Sequence, residues 1–171
     1  MKQNRIVLLF AIAISFIITG CPVSSSYPLA ESSSALPFDK NLTGTWENNK
    51  EDAEVKKIKI EKGSEANTYN VKVQETGELY AAETKNFIGW QVALKGKKFL
   101  VLMETGENAS KDMPYYVYAL SLNRNLLTTY EISLLENGTD AITSIKNYQD
   151  EVISSMKKEG FLSEKTEWKR K

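Results

Sequence analysis

Side chains that could carry out chemistry are few in this chain. It has 171 residues, one cysteine and no histidine, so it lacks the commonest general base at neutral pH and the commonest zinc ligand. The carboxylates Glu47, Glu51, Asp52 and Glu54 cluster after the first strand, where a pair could bind calcium or act as acid and base. Because their spacing lacks the alternation and glycine of an EF-hand loop, we interpret them as a solvated loop. We predict no catalytic residue, no metal site and no cofactor.

Aromatic residues with polar tips are the second chemically informative group. Tyr116, Tyr118 and Tyr130 lie in two consecutive predicted strands, and Trp90 lies in a nearby one. Such side chains can line a cavity in a small barrel, where eight strands enclose either packed side chains or one small ligand. We predict these four as candidate ligand-cavity residues. The alternative, that they are core residues of a packed β protein, stays open.

The only cysteine, Cys21, stands at the end of an uncharged apolar run from Ile6 to Gly20, which basic residues precede. A charged start, a short apolar stretch and small residues at its end are the parts of a secretory signal peptide. At about 15 residues the run is short for a membrane-spanning helix, which needs roughly 20. We therefore predict residues 1–20 as a signal peptide.

The stretch Ile18, Thr19, Gly20 and Cys21 resembles the lipobox of bacterial lipoproteins. In that family the thiol receives a diacylglyceryl group, the signal is cut just before the cysteine, and the new amino terminus is usually acylated. The resemblance implies that acyl chains on Cys21 anchor the protein to a membrane of the bacterial cell envelope. The absence of an aspartate after the cysteine favours the outer membrane. The alternative is an ordinary signal peptide cut after Ala30, with an incidental cysteine.

The stretch from Pro22 to Lys40 is dense in serine and proline and has no sustained periodicity. Such a stretch cannot bury enough apolar surface to offset its ordering entropy. We predict residues 21–40 as the lipidated cysteine with a flexible tether, and residues 41–171 as a single domain. With 22 basic and 22 acidic residues, the chain shows no basic excess that would point to nucleic acid.

Alternation with a period of two residues dominates the predicted domain. The segment TYNVKVQE places Tyr69, Val71 and Val73 on one face, as in a half-buried strand. Further strands are predicted at KIKIEK, WQVALK, FLVLM, YYVYALSLN and LLTTYEIS. With a segment around Trp46 and a weaker one from Leu79 to Thr84, these give eight strands in a mainly β, antiparallel meander.

After the meander the period becomes helical. The apolar positions are Ile142, Ile145, Val152, Ile153 and Met156. They predict one amphipathic C-terminal helix of about 20 residues that begins after an N-cap at Thr139 or Asp140 and ends before Gly160. Glu151 is expected on its exposed face. A short final strand, KTEWKRK, is expected to return to the sheet.

Eight antiparallel strands leave two exposed edges unless they close into a barrel. In the first strand, Gly44, Thr45 and Trp46 resemble the Gly-x-Trp signature of lipocalin-like proteins. In that family the tryptophan plugs the closed end of an eight-stranded barrel, a basic residue near the C-terminus packs over its ring, and a helix follows the eighth strand. The resemblance implies a lipocalin-like barrel with a plug of Gly44, Trp46 and either Lys169 or Arg170.

Two functions are compatible with these expectations. The preferred one is a non-enzymatic, membrane-anchored envelope lipoprotein that binds a small apolar or amphipathic ligand inside its barrel. The alternative is a packed barrel that serves as a scaffold and contacts another envelope protein. Its contact would be the long loop from Glu104 to Asp112, because loops on rigid frames often carry function.

Overall fold

The computed structural model describes residues 22–51, 53–76, 82–107 and 109–171. The predicted signal peptide and the predicted lipidation site Cys21 lie outside these ranges. In the part of the chain that is described, no helix is both long enough and apolar enough to cross a membrane.

Nine strands and one α-helix make up the regular structure of the described residues. The strands are β1 (Ser24–Ser25), β2 (Gly44–Glu47), β3 (Val55–Lys62), β4 (Thr68–Thr76), β5 (Ala82–Leu94), β6 (Lys97–Thr105), β7 (Tyr115–Asn123), β8 (Leu126–Ile132) and β9 (Leu162–Arg170). Helix α1 (Ile145–Ser155) precedes β9, and short 3-10 turns cover Ser32–Ser34 and Thr139–Ala141. The predicted mainly β fold with one C-terminal helix and a final strand is confirmed.

Strands β2 to β9 form a closed antiparallel barrel of eight strands. From β2 to β8, each strand pairs with the next one along the chain. Strand β9 pairs with β8 on one side and with β2 on the other, where Arg170 lies opposite Trp46. This double pairing leaves the barrel without an open edge, and it makes the final strand the eighth member of the barrel.

The weaker strand predicted from Leu79 to Thr84 is not a separate element. Residues 79–81 lie outside the described ranges, and residues 82–84 belong to β5, which has 13 residues and continues through WQVALK. The sequence AETKNFIGWQVAL alternates poorly around Lys85 and Asn86, so its pattern suggested two strands where the backbone makes one.

Alternation along the strands separates the apolar side chains into two layers. In β6, Leu100 and Leu102 face the barrel interior, whereas Phe99 and Val101 face an outer layer covered by α1 and the N-terminal segment. The strand is therefore buried on both faces, which explains why FLVLM is apolar throughout.

The N-terminal segment packs on the outside of the barrel, so the prediction of a flexible tether is wrong for this part of the chain. Val23 and Leu29 are buried in the outer layer, with Leu29 only 1% exposed. The indole Nε1 of Trp90 donates a hydrogen bond to the carbonyl of Ala30 at 2.9 Å. The few apolar side chains of this serine-rich segment can pack it against the barrel because the outer layer offers a surface that buries them. Composition alone does not reveal that surface.

Helix α1 is shorter than predicted and has a different N-cap. The backbone N–H of Asn147 donates to Ser144 Oγ at 3.1 Å, so Ser144 is the cap. Thr139 and Asp140 instead belong to a 3-10 turn, and the extended backbone of Ile142 separates that turn from the helix. The helix consequently has 11 residues.

Glu151 is buried rather than exposed, which corrects the prediction for this residue. Its Oε1 accepts hydrogen bonds from the backbone N–H groups of Glu136 at 2.9 Å and Asn137 at 3.0 Å. Burial raises the pKa of Glu151, but the hydrogen bonds from Asn137, Glu136 and Ser155 outweigh it and lower the pKa overall. The carboxylate thus fastens the chain between β8 and α1 to the helix.

Candidate functional site

The indole of Trp46 closes one end of the barrel. Trp46 is fully buried, and its Nε1 donates to the carbonyl of Leu42 at 3.0 Å. The guanidinium carbon of Arg170 lies 4.3 Å from the centroid of the Trp46 ring. Arg170 also donates to the carbonyl oxygens of Thr43, at 2.6 Å from Nη1, and of Asn41, from Nη2. The cation therefore stacks on the aromatic face while its N–H groups are satisfied by backbone carbonyls.

Gly44 permits the close approach of Arg170. Its φ is 141°, and a Cβ at this position would lie 2.8 Å from Arg170 Nη1. Both the backbone conformation and the space therefore favour glycine. The structure thus brings Gly44, Trp46 and Arg170 into one cluster at the closed end, whereas Lys169 is exposed.

Beyond the plug, the barrel encloses a cavity of about 390 Å³. Ligand pockets typically measure roughly 300–1,000 Å³. About half of the lining residues are apolar and face inward: Val55, Ile58, Ile60, Val71, Val73, Leu100, Leu102, Leu127 and Trp168. Among the described residues, the cavity opens at the end opposite the plug, where Asn48, Lys50 and Glu54 of the β2–β3 connection form part of the mouth. Its size and lining suit one small, largely apolar molecule.

Polar groups are concentrated on the wall formed by β7, β8 and β9. This wall contains Tyr118, Thr129, Glu131, Glu164 and Thr166. The hydroxyl of Thr129 accepts a hydrogen bond from Trp168 Nε1 at 3.0 Å. Within the described residues, the buried Oε2 atom of Glu131 has no hydrogen-bond partner. An acceptor is therefore available in the wall of an otherwise mainly apolar cavity.

Around Glu131 the charge is unfavourable for an anion, whereas two lysines also line the cavity: Lys50 on the β2–β3 connection, and Lys165, which forms an ion pair with Glu167. Burial raises the pKa of Glu131, and the nearby carboxylate of Glu164 raises it further. Burial likewise raises the pKa of the Tyr118 hydroxyl, with a smaller contribution from Glu131. A ligand group that donates hydrogen bonds or carries positive charge would relieve the cost of the Glu131 carboxylate, whereas an anion would increase it.

The four aromatic residues predicted for a cavity are divided between the two faces of the barrel. Tyr118 lies in the cavity wall. Tyr116 packs with the inner layer against Phe87, with the ring centroids 5.9 Å apart. Trp90 and Tyr130 belong to the outer layer beneath the N-terminal segment and α1, so the prediction is wrong for these two. An alternating pattern shows which residues share a face but not which face points inward.

The acidic part of the cavity wall was missed from the sequence. In β8, Glu131 shares a face with Leu127 and Thr129, because these residues lie two positions apart. The sequence contained one indication of this site: Glu131 shares a face with Leu127, which points inward. It could be used only once the inner face was known.

The carboxylates interpreted as a solvated loop contribute mainly to the rim and the surface. Glu54 lies at the cavity mouth, and Glu47 forms an ion pair with Lys171 at 3.0 Å. Asp52 lies outside the described residues. Across the described ranges, no group of three or more His, Cys, Asp or Glu residues is arranged to hold a metal ion.

A second depression, of about 890 Å³, lies outside the barrel near its closed end. Its walls include Lys95, Lys97, Lys98 and Arg124, which belong to two hairpins and the strands beside them. Flexible basic side chains in such an open setting remain hydrated and give weak, salt-sensitive contacts. We therefore take the smaller, more apolar cavity inside the barrel as the candidate functional site.

In comparisons with known proteins, the chain matches no protein-family model, no curated protein and no solved structure.

Proposed function

We propose that this protein is a lipid-anchored envelope protein whose barrel binds a small apolar or amphipathic molecule. The observation that carries the proposal is the cavity of about 390 Å³ inside the barrel, plugged at one end by Trp46 and Arg170. Burying apolar ligand surface there contributes about 25 cal/mol per Å². The proposed role is binding without catalysis, because the cavity lining is more apolar than polar and the chain has no histidine.

The proposed anchor is Cys21, for which the lipobox-like stretch from Ile18 gives the support. Acyl chains contribute on the order of 0.8 kcal/mol per buried CH₂, so two or three chains hold a soluble domain at a membrane surface. The proposed location is the bacterial outer membrane.

The polar wall narrows the proposed ligand class. Glu131 offers an unpartnered acceptor, and Thr129, Thr166 and Tyr118 lie along the same wall. The geometry suits a molecule whose apolar body contacts the aliphatic side and whose polar end donates hydrogen bonds or is cationic. A fatty anion of the same length should bind more weakly, because its charge would face Glu131 and Glu164.

The test compares amphiphiles that share one tail and differ in the head group. Residues 22–171 are titrated calorimetrically with dodecylamine, dodecanol and sodium dodecanoate, each below its micelle concentration. We expect the amine and the alcohol to bind more tightly than the carboxylate. Failure of all three to bind would contradict the proposal and favour the packed-scaffold alternative.

A matched pair of variants locates the site. Val73→Trp places an indole in the cavity, whereas Lys72→Trp places the same ring on the exposed face of β4. We expect the first variant to weaken binding of dodecylamine by at least about tenfold, which corresponds to about 1.4 kcal/mol, and the second to leave it unchanged. Thermal unfolding of both variants verifies that they fold. Equal affinities in two folded variants would show that the ligand binds elsewhere.

A further inference from the structure

We propose that the basic closed end of the barrel docks on the head groups of an anionic lipid bilayer, so that the cavity mouth faces away from that bilayer. The inference goes beyond ligand binding, because it assigns a second surface and an orientation to the domain. It requires neither an occupied cavity nor a lipid at Cys21.

Two neighbouring hairpins bring basic side chains together at the closed end. Lys95 and Lys97 belong to the β5–β6 hairpin, Lys98 follows them, and Arg124 belongs to the β7–β8 hairpin. These four residues line the depression of about 890 Å³, where Asp39 is the one carboxylate among the described residues. Lys95, Lys98 and Arg124 are exposed. The depression is therefore a positively charged surface that is open to solvent.

These four basic side chains form no ion pair with a carboxylate of the described residues. The lysines that do form ion pairs there are Lys59, Lys85, Lys146, Lys158, Lys165 and Lys171. The nearby Asp39 instead accepts a hydrogen bond through Oδ1 from the backbone N–H of Asn41 at 2.9 Å. The charge of the four residues is therefore available to an anion outside the protein.

The mouth end has the opposite balance of charge. Glu54, Glu131 and Glu164 line the cavity together with Lys50 and Lys165, and Lys165 is paired with Glu167. The end of β6 and the loop to β7 add three acidic residues and one basic residue: Glu104, Glu107, Asp112 and Lys111. The 22 basic and 22 acidic residues of the chain cancel in number, but the fold separates part of this charge along the barrel axis. Such a separation turns the closed end toward a negative surface.

The arrangement of the basic residues favours a bilayer over a small anion. A single phosphate is typically held by backbone N–H groups directed at one point, whereas these side chains extend from two hairpins. A planar array of anionic head groups can contact both hairpins at once. Each basic residue close to such a surface strengthens binding about fivefold, so four weak contacts add up to a stable one.

The direction of β1 agrees with this orientation. Strand β1 runs antiparallel to β7, with Ser24 opposite Tyr116. Strand β7 leads from the mouth end to its hairpin with β8 at the closed end, where the carbonyl of Asn125 accepts a hydrogen bond from the backbone N–H of Arg170 at 2.9 Å. Within β1 the chain therefore runs from the closed end toward the mouth. A chain that comes from the membrane enters β1 in this direction when the closed end faces the membrane.

The test measures vesicle binding by residues 22–171, which contain every described strand and helix α1. The unlipidated protein is sedimented with vesicles of pure phosphatidylcholine and with vesicles that contain an equal share of anionic phosphatidylglycerol. We expect binding to the anionic vesicles only. Raising the salt from about 0.1 M to about 1 M shortens the Debye length from about 10 Å to about 3 Å and should weaken this binding by at least about tenfold.

A matched pair of double variants locates the docking surface. Lys95→Glu with Lys98→Glu reverses two exposed charges at the closed end, whereas Lys72→Glu with Lys111→Glu reverses two exposed charges on β4 and in the loop before β7. Both variants change the net charge equally. We expect the closed-end variant to lose at least about tenfold in affinity for the anionic vesicles and the control variant to lose less than about twofold. Thermal unfolding verifies that both variants fold.

The outcomes separate membrane docking from ligand binding in the barrel. Equal binding to neutral and anionic vesicles, or equal losses in the two folded double variants, would show that the closed end is not the docking surface. If sodium pyrophosphate binds in calorimetry but the anionic vesicles do not, the basic residues serve a soluble phosphate and the proposal is overturned. If the anionic vesicles bind but dodecylamine does not, the cavity proposal fails while the docking surface stands.

Discussion

Arg170 lies over Trp46, with its guanidinium carbon 4.3 Å from the ring centroid, and the two residues pair across β9 and β2. The contact joins the last strand of the barrel to the first, so closing the barrel and plugging it depend on the same pair. Gly44 provides the space that the guanidinium occupies.

Replacing Arg170 should therefore destabilise the whole domain. Arg170→Met removes the cation–π contact and the hydrogen bonds to Thr43 and Asn41. We expect the free energy of unfolding to fall by about 2–4 kcal/mol, measured by urea denaturation. The neighbouring Lys169→Met variant changes an exposed side chain and should be nearly neutral. Equal losses in the two variants would refute a specific role for the plug.

The N-terminal segment should contribute to stability. Leu29 is 1% exposed in the outer layer, so Leu29→Ala is expected to cost about 2–4 kcal/mol of unfolding free energy. Tyr27→Ala, at an exposed position nearby, should cost less than about 0.5 kcal/mol. Thermal and chemical denaturation of residues 22–171 measure both effects. A neutral Leu29→Ala variant would mean that the segment is loose in solution.

Glu151 should stabilise the fold in a pH-dependent way. Its pKa is lowered in the folded state, so its contribution is present above the unfolded pKa of about 4.3 and is lost as the pH falls through the lower folded value. We expect Glu151→Gln to lower the unfolding free energy by about 1–3 kcal/mol at neutral pH. The difference in unfolding free energy between this variant and the wild type should become smaller at acid pH. The exposed Asp150→Asn is the control, and a difference for Glu151→Gln that is constant with pH would rule out this role of the carboxylate.

Glu131 should show the opposite dependence. Its folded pKa is raised, so ionising it costs stability above the folded pKa, and that cost disappears as the pH falls below the unfolded value of about 4.3. Glu131→Gln should therefore stabilise the empty domain slightly at neutral pH, by less than about 1 kcal/mol because the residue is partly exposed. It should also weaken binding of dodecylamine. Unfolding curves at neutral and acid pH, with calorimetry for the amine, measure the two effects, and loss of stability at neutral pH would contradict them.

The barrel was largely predictable because its strands alternate strongly. Tyr69, Val71 and Val73 share a face in the sequence, and all three pack in the inner layer. The N-terminal segment was not predictable, because Val23 and Leu29 are too few to form a periodic pattern. Their burial depends on a groove built by distant strands.

The cavity was predictable only in part, because a pattern of period two does not show which face of a strand turns inward. Tyr118 and Tyr130 both stand in aromatic-rich strands, yet Tyr118 lines the cavity and Tyr130 packs outside. Glu131 was overlooked for the same reason. Tyr118 and Glu131 lie opposite each other in β7 and β8 and therefore share a face, which the closed barrel turns inward.

Native mass spectrometry of residues 22–171, purified gently from the cells that produce the protein, tests the central claim most directly. The protein retains Val23 and Leu29, which are buried in the outer layer, and a denatured sample gives its bare mass. The account predicts an added mass that disappears on unfolding, belongs to a small amphipathic molecule and is lost in Val73→Trp but kept in Lys72→Trp. A bare mass that persists after incubation with dodecylamine would contradict the account and indicate a barrel that holds no ligand.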